Sequence, residues 1–153
     1  MPLFNESLLR ELNYGNTQQL SGLSPAEGVI VFLLAAVMAD DVISNDEKEM
    51  IWGTVARMKM FRSYSQDVVG KIFAKVGQDF NQYGFKAVIF AAKEAIPYEL
   101  RNTVFAIATD LVLSDGILSE EEATVLTMMH HVLEVPESTA QQVIQVIAMK
   151  NKG

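Results

Sequence analysis

Apolar residues along this chain recur three and four positions apart. No stretch alternates as a half-buried strand must, so the pattern predicts an all-α protein. Leu8, Leu9 and Leu12 mark a short first helix. A second opens at Ser24-Pro25-Ala26-Glu27, which supplies an N-cap serine, a first-turn proline and a glutamate placed to return the cap. It runs to about Ala39, and its apolar run, residues 29–39, is about half of the ~20 residues that span a bilayer, so it reads as a buried helix. A third starts at Ser44-Asn45-Asp46-Glu47 and carries Met50, Ile51, Thr54, Val55 and Met58 on one face. A fourth, from about Ser65, shows Val68, Val69, Ile72, Phe73 and Val76. The fifth carries Phe85, Val88, Ile89 and Ala92 and should stop near Pro97. Leu100, Val104, Ile107, Ala108, Leu111 and Val112 define the sixth. The seventh follows Ser119 with Val125, Leu126, Met129, Val132 and Leu133. The eighth starts near Pro136 and should bury Val143, Ile144 and Ile147. The expectation is one compact domain of seven to eight helices.

Laying residues 24–75 over residues 99–150 needs no gap. Asp40 falls on Asp115, Ser44 on Ser119 and Glu47 on Glu122, while Val42, Ile43 and Met58 meet Ile117, Leu118 and Leu133. Polar residues that coincide in the turns are harder to produce by helical periodicity than apolar ones. The expected organisation is therefore an N-terminal helix and linker over 1–23, then a helical domain over 24–150. That domain would hold two pseudo-twofold-related three-helix repeats joined by the fifth helix.

Composition narrows the class. Half of the 153 residues are apolar and a fifth are charged, as in a soluble globular protein. There is no cysteine, which excludes disulfides, thiolate metal sites and a cysteine nucleophile. The start of the chain lacks a basic leader and its apolar residues are spaced helically, so no signal peptide is expected and a cytoplasmic location fits. A net charge of -7 argues against nucleic acid as the partner, and no segment is long enough for membrane insertion. The charge is also uneven. Residues 102–149 hold no lysine or arginine, whereas Arg57, Lys59, Arg62, Lys71, Lys75, Lys86, Lys93 and Arg101 crowd the middle. Such asymmetry suits a protein partner or a homo-oligomer, and equally an ordinary solvated surface.

The segment DGILSEEE, residues 115–122, resembles the end of a calcium loop. With Asp115 at the fifth loop position, Glu122 takes the twelfth, but the first and third become Leu111 and Leu113, which cannot ligate. An EF-hand is excluded. Two readings stay open. In one, Ser44 with Glu47 and Ser119 with Glu122 are capping boxes that satisfy helix-start amides. In the other, Asp40, Glu47, Asp115 and Glu122 hold a divalent cation such as calcium, magnesium, manganese or zinc, with Asp41, Asp110 and Glu121 adding acidic surface. Asp40 and Asp115 give the second reading its weight. Each ends a helix, where the macrodipole disfavours negative charge by about 0.3–1 kcal/mol.

Catalysis finds no support. His130 and His131 are neighbours about 100° apart around a helix, so they are not expected to face one ligand together, and no nucleophile accompanies them. The glycines form no phosphate loop. The eight methionines read as core filler or as a soft groove for a partner helix, and Trp52 as core edge or interaction anchor. The chain is expected not to be an enzyme.

The segments AAVMADDVISNDE (35–47) and PYELRNTVFAIATDLVLSDGILSEEE (97–122), with the spacing between them, resemble the TerB-like family associated with tellurite resistance. The resemblance covers about residues 24–150. It implies an all-helical domain with internal twofold character, and a stress-response role linked to metal sensing or membrane-associated complexes. A similar domain at the N-terminus of some DnaJ-like co-chaperones serves association. The family's acidic positions carry over to Asp40, Glu47, Asp115 and Glu122, and Asp41 replaces the usual glycine of the first turn. Tellurite is an oxyanion that these carboxylates would repel, so the resemblance does not imply direct tellurite binding.

Overall fold

Helix α1 (Pro25–Val37) runs through the middle of the molecule because its sequence leaves it no polar face. Every residue from Gly28 to Val37 is buried. A helix apolar all round must be covered all round, and in a computed structural model describing residues 20, 22–38, 45–114 and 118–152 it is. Around it pack α2 (Asn45–Arg57), α3 (Gln66–Ala95), α4 (Arg101–Val112) and α5 (Glu120–Val132), and α6 (Glu137–Lys150) lies outside on α4. Single 3₁₀ turns at Lys59–Phe61 and Tyr98–Leu100 lead into α3 and α4. The described residues contain no strand, and none of their helices is long and apolar enough to cross a membrane. The expected first helix at Leu8, Leu9 and Leu12 lies outside the described residues.

Hydroxyl caps set the starts of α1, α3 and α5. Ser24 Oγ accepts the Glu27 amide at 3.1 Å while Glu27 Oε1 accepts the Ser24 amide at 2.7 Å. Ser65 Oγ accepts the Val68 amide at 3.2 Å. Ser119 and Glu122 repeat the reciprocal pattern. Each cap contributes about 1 kcal/mol. At its far end α5 closes in a Schellman turn: Val135 N–H donates to His130 O and Glu134 N–H to His131 O, with Glu134 at φ 58°.

The fourth and fifth expected helices meet in α3. Gly84, at φ 86° and ψ 163°, interrupts the helical path between them, in a region of backbone space that is essentially glycine's alone. Phe80 and Phe85 stack across the break with ring centres 5.9 Å apart. The later half of α3 packs tightly on α1 at Gly28, where a Cβ would stand 2.9 Å from Ala92 O and 3.1 Å from Ile96 Cγ1.

Burial departs from expectation at three helices. In α3, Val68 and Phe85 are exposed. In α4, Phe105 is fully buried, whereas Ile107 is only half-buried and turns toward a surface groove. In α6, Val143, Ile144 and Ile147 are half-buried, because that helix leans chiefly on α4, meets α5 across a cavity, and has nothing covering its outer side among the described residues.

Candidate functional site

The clearest open surface surrounds Trp52. The buried stripe of α2 is Ile51 and Val55, with Met58 continuing it, and Trp52 stands beside that stripe with 37% of its surface exposed. Its indole tilts against Phe73 of α3, ring centres 5.4 Å apart. Gly70 passes under the ring edge, where a Cβ would sit 4.0 Å from Trp52 Cη2. On one side of the indole lies a cavity of about 480 Å³ bordered by Phe61, Tyr64 and Val69. On the other lies a second of about 480 Å³, floored by Leu34, Met38, Ile51 and Phe80 and edged by Lys48 and Asn81. Trp52 forms the wall between them. Val68, Tyr64 and Phe85 are also exposed on α3 and the turn before it, and Phe85 stacks on Phe80 of the second cavity. A large, rigid, half-wet indole between apolar hollows is the arrangement that anchors protein partners.

The acidic turns are less complete. Asp40, Asp41 and Asp115 lie outside the described residues. Glu47 stands in the first turn of α2, half-buried. Glu122 turns its Oε1 back to the Ser119 amide at 3.0 Å, so this carboxylate caps its own helix. Glu121 is exposed in the same first turn. Asp110 is drawn elsewhere: it accepts from Lys150 Nζ at 3.2 Å and Asn151 Nδ2 at 2.9 Å, fastening the end of α6 to α4. The described residues contain no cluster of three or more metal-ligating side chains.

The histidines come closer than helical spacing suggested. Both border a cavity of about 300 Å³ beside Glu137, and their ring centres are 4.5 Å apart, because the side chains swing toward each other across the 100° between their backbones. His130 Nδ1 meets Val135 O at 3.0 Å, inside the Schellman turn. Burial, then the neighbouring His130, hold the His131 imidazole below its ordinary pKa, with Glu137 opposing.

Two ionic knots join residues far apart in the chain, so that only the Lys75–Asp79 contact, four residues along one helix, could be read from spacing. Lys75 pairs with Glu27 and Asp79, each at 2.9 Å. Glu134 pairs with Arg101 at 2.6 Å and Lys93 at 3.3 Å, and the Arg101 guanidinium lies 5.4 Å from the Tyr98 ring centre. Hydrogen bonding and charge from Lys93, then Arg101, hold the Glu134 carboxyl below the usual carboxylate range. Both knots join helices to one another, and neither opens onto a cavity described above.

Comparison of the chain with curated proteins and with solved structures gives no match. A family model described as tellurite resistance protein TerB matches residues 26–145, from the first turn of α1 into the middle of α6. Over most of its length, then, this chain belongs to the TerB family.

Proposed function

We propose that this chain is a non-catalytic protein-docking module of a tellurite-resistance or related stress response, working in the cytoplasm. The observation that carries the reading is Trp52, held by Phe73 between two apolar cavities on an open helical face. Membership of the TerB family supports the stress-response context. Internal duplication fits as well: α2 and α5 occupy residues 45–57 and 120–132, which coincide when the two halves are laid over each other. In this reading Glu122 is a helix cap, and partners bind by burying the indole. The test is capture of partners from the source cells by the wild-type chain and by Trp52→Ala, with circular dichroism to verify that the variant is folded. Loss of the captured protein on Trp52→Ala supports the reading, and unchanged capture refutes it.

A second reading, cation binding by the acidic turns, is favoured by one detail. Glu122 commits Oε1 to the cap, and a carboxylate has a second oxygen to offer a cation. Asp40, Glu47, Asp115 and Glu122 would be the ligands. Melting of chelator-treated protein with and without added calcium, magnesium, manganese or zinc tests it, because a ligand of the folded state raises the midpoint by mass action.

A further inference from the structure

A second open groove lies away from Trp52, between the end of α2 and α4, with a volume of about 470 Å³. Met60, Leu100 and Ile107 give it an apolar floor, and Arg57 and Lys59 stand at its edge. Both cations are exposed, and neither makes an ion pair among the described residues. Asp110 closes part of the border, already engaged by Lys150 and Asn151. In a chain of net charge -7, this is a locally basic edge that no ion pair balances among the described residues.

The same chain carries the complementary shape. Just before and inside the first turn of α5, Leu118 is 44% exposed and Glu120 and Glu121 point to solvent. No lysine or arginine occurs between residues 102 and 149, and neither glutamate has an ion pair among the described residues. An exposed leucine followed by two unbalanced carboxylates is what an apolar floor edged by two unbalanced cations would accept.

We propose that a second copy of this chain docks its Leu118–Glu121 ridge in this groove. Leu118 covers Met60, Leu100 and Ile107, while Glu120 and Glu121 meet Arg57 and Lys59. Asp110 repels carboxylates and so sets the direction in which the ridge lies. Groove and ridge belong to opposite sides of α4: Thr103 and Ile107 border the groove, while Phe105, about 200° around the helix from Thr103, borders the cavity that Leu118 lines. The contact is therefore head-to-tail, each copy giving a groove to one neighbour and a ridge to the next. Trp52 takes no part, so this contact and the Trp52 reading stand or fall separately.

Sedimentation velocity over a concentration series at low ionic strength tests the proposal on the whole chain. The wild type should show a mean mass that rises with concentration. Arg57→Glu/Lys59→Glu and Glu120→Lys/Glu121→Lys should each stay monomeric, since groove and ridge then carry the same sign. An equimolar mixture of the two variants should associate again, because opposite signs once more face each other. All four residues are exposed, and a cooperative thermal melt verifies that each variant is folded. A wild type that stays monomeric throughout would overturn the proposal, leaving the groove to an acidic segment of another protein. Variants that associate as the wild type does, or a mixture that does not recover, would overturn it too.

Discussion

Lys75 of α3 lies 2.9 Å from Glu27 of α1 and 2.9 Å from Asp79 one turn along its own helix, so a single ammonium ties the first turn of the central helix to the helix that covers it. Glu27 uses its two oxygens separately, Oε1 for the Ser24 amide and Oε2 for Lys75. Asp79 is 8% exposed, and its charge is tolerable there because Lys75 is bonded to it.

A pH dependence follows. Burial alone would raise the Glu27 carboxyl, but hydrogen bonds from the Ser24 amide and Lys75 outweigh it and hold the carboxyl below its ordinary value. Its contribution is therefore present above about pH 4.3, the unfolded value, and is lost as pH falls through the lower folded value. For Lys75, burial would lower the ammonium, and bonding to Glu27 and Asp79 raises it instead. That contribution is full below about pH 10.4 and is lost as pH rises through the higher folded value. The Lys75 side chain is 48% exposed, so screening limits the pair and Glu27→Gln should cost about 1 kcal/mol. Urea unfolding should show that loss at pH 7, and the gap between variant and wild type should shrink toward pH 3.

Two glycines in α3 should respond with opposite signs. Gly84→Ala forces a side chain into φ 86°, ψ 163° and should cost about 1–3 kcal/mol. Gly77 is helical with open space where a Cβ would go, so Gly77→Ala should gain about 0.4–1 kcal/mol. Denaturant midpoints at constant m-value check both.

Gly28→Ala would thrust a methyl against Ala92 O at 2.9 Å, a backbone atom that cannot step aside without moving α3. A loss of about 1–3 kcal/mol is expected, read from the thermal midpoint.

These effects show how much of the molecule was legible in the sequence. Helix starts were, because Ser24, Ser65 and Ser119 act through neighbours three residues away. The buried character of α1 was legible as well, since a helix with no polar face has no alternative. Tertiary geometry was not. Glu27 and Lys75 are 48 positions apart in the chain and nothing local pairs them. The half-burial of Val143, Ile144 and Ile147 depends on α6 packing chiefly on α4, which its own apolar stripe does not reveal. Trp52 was legible as a choice between core edge and anchor. The cavities on its two sides, built from α1, α2 and α3 together, favour the anchor.

The acidic turn of α5 separates capping from cation binding. Ser119→Ala should cost about 0.5–2 kcal/mol by removing the cap. If the turn is only a cap, the melting midpoint of chelator-treated protein will not move with calcium, magnesium, manganese or zinc. A rise of several degrees that vanishes in Asp115→Ala/Glu122→Ala would instead make the turn an ion site.

The central claim is that Trp52 anchors a protein partner, and the most direct measurement compares partner capture by the wild type and by Trp52→Ala. The indole is 37% exposed, so the substitution should cost less than the ~3–5 kcal/mol of a buried tryptophan and leave the chain folded. The account predicts a defined partner held by the wild type and lost by the folded variant. Equal capture by both chains, or no partner for the wild type, would contradict it.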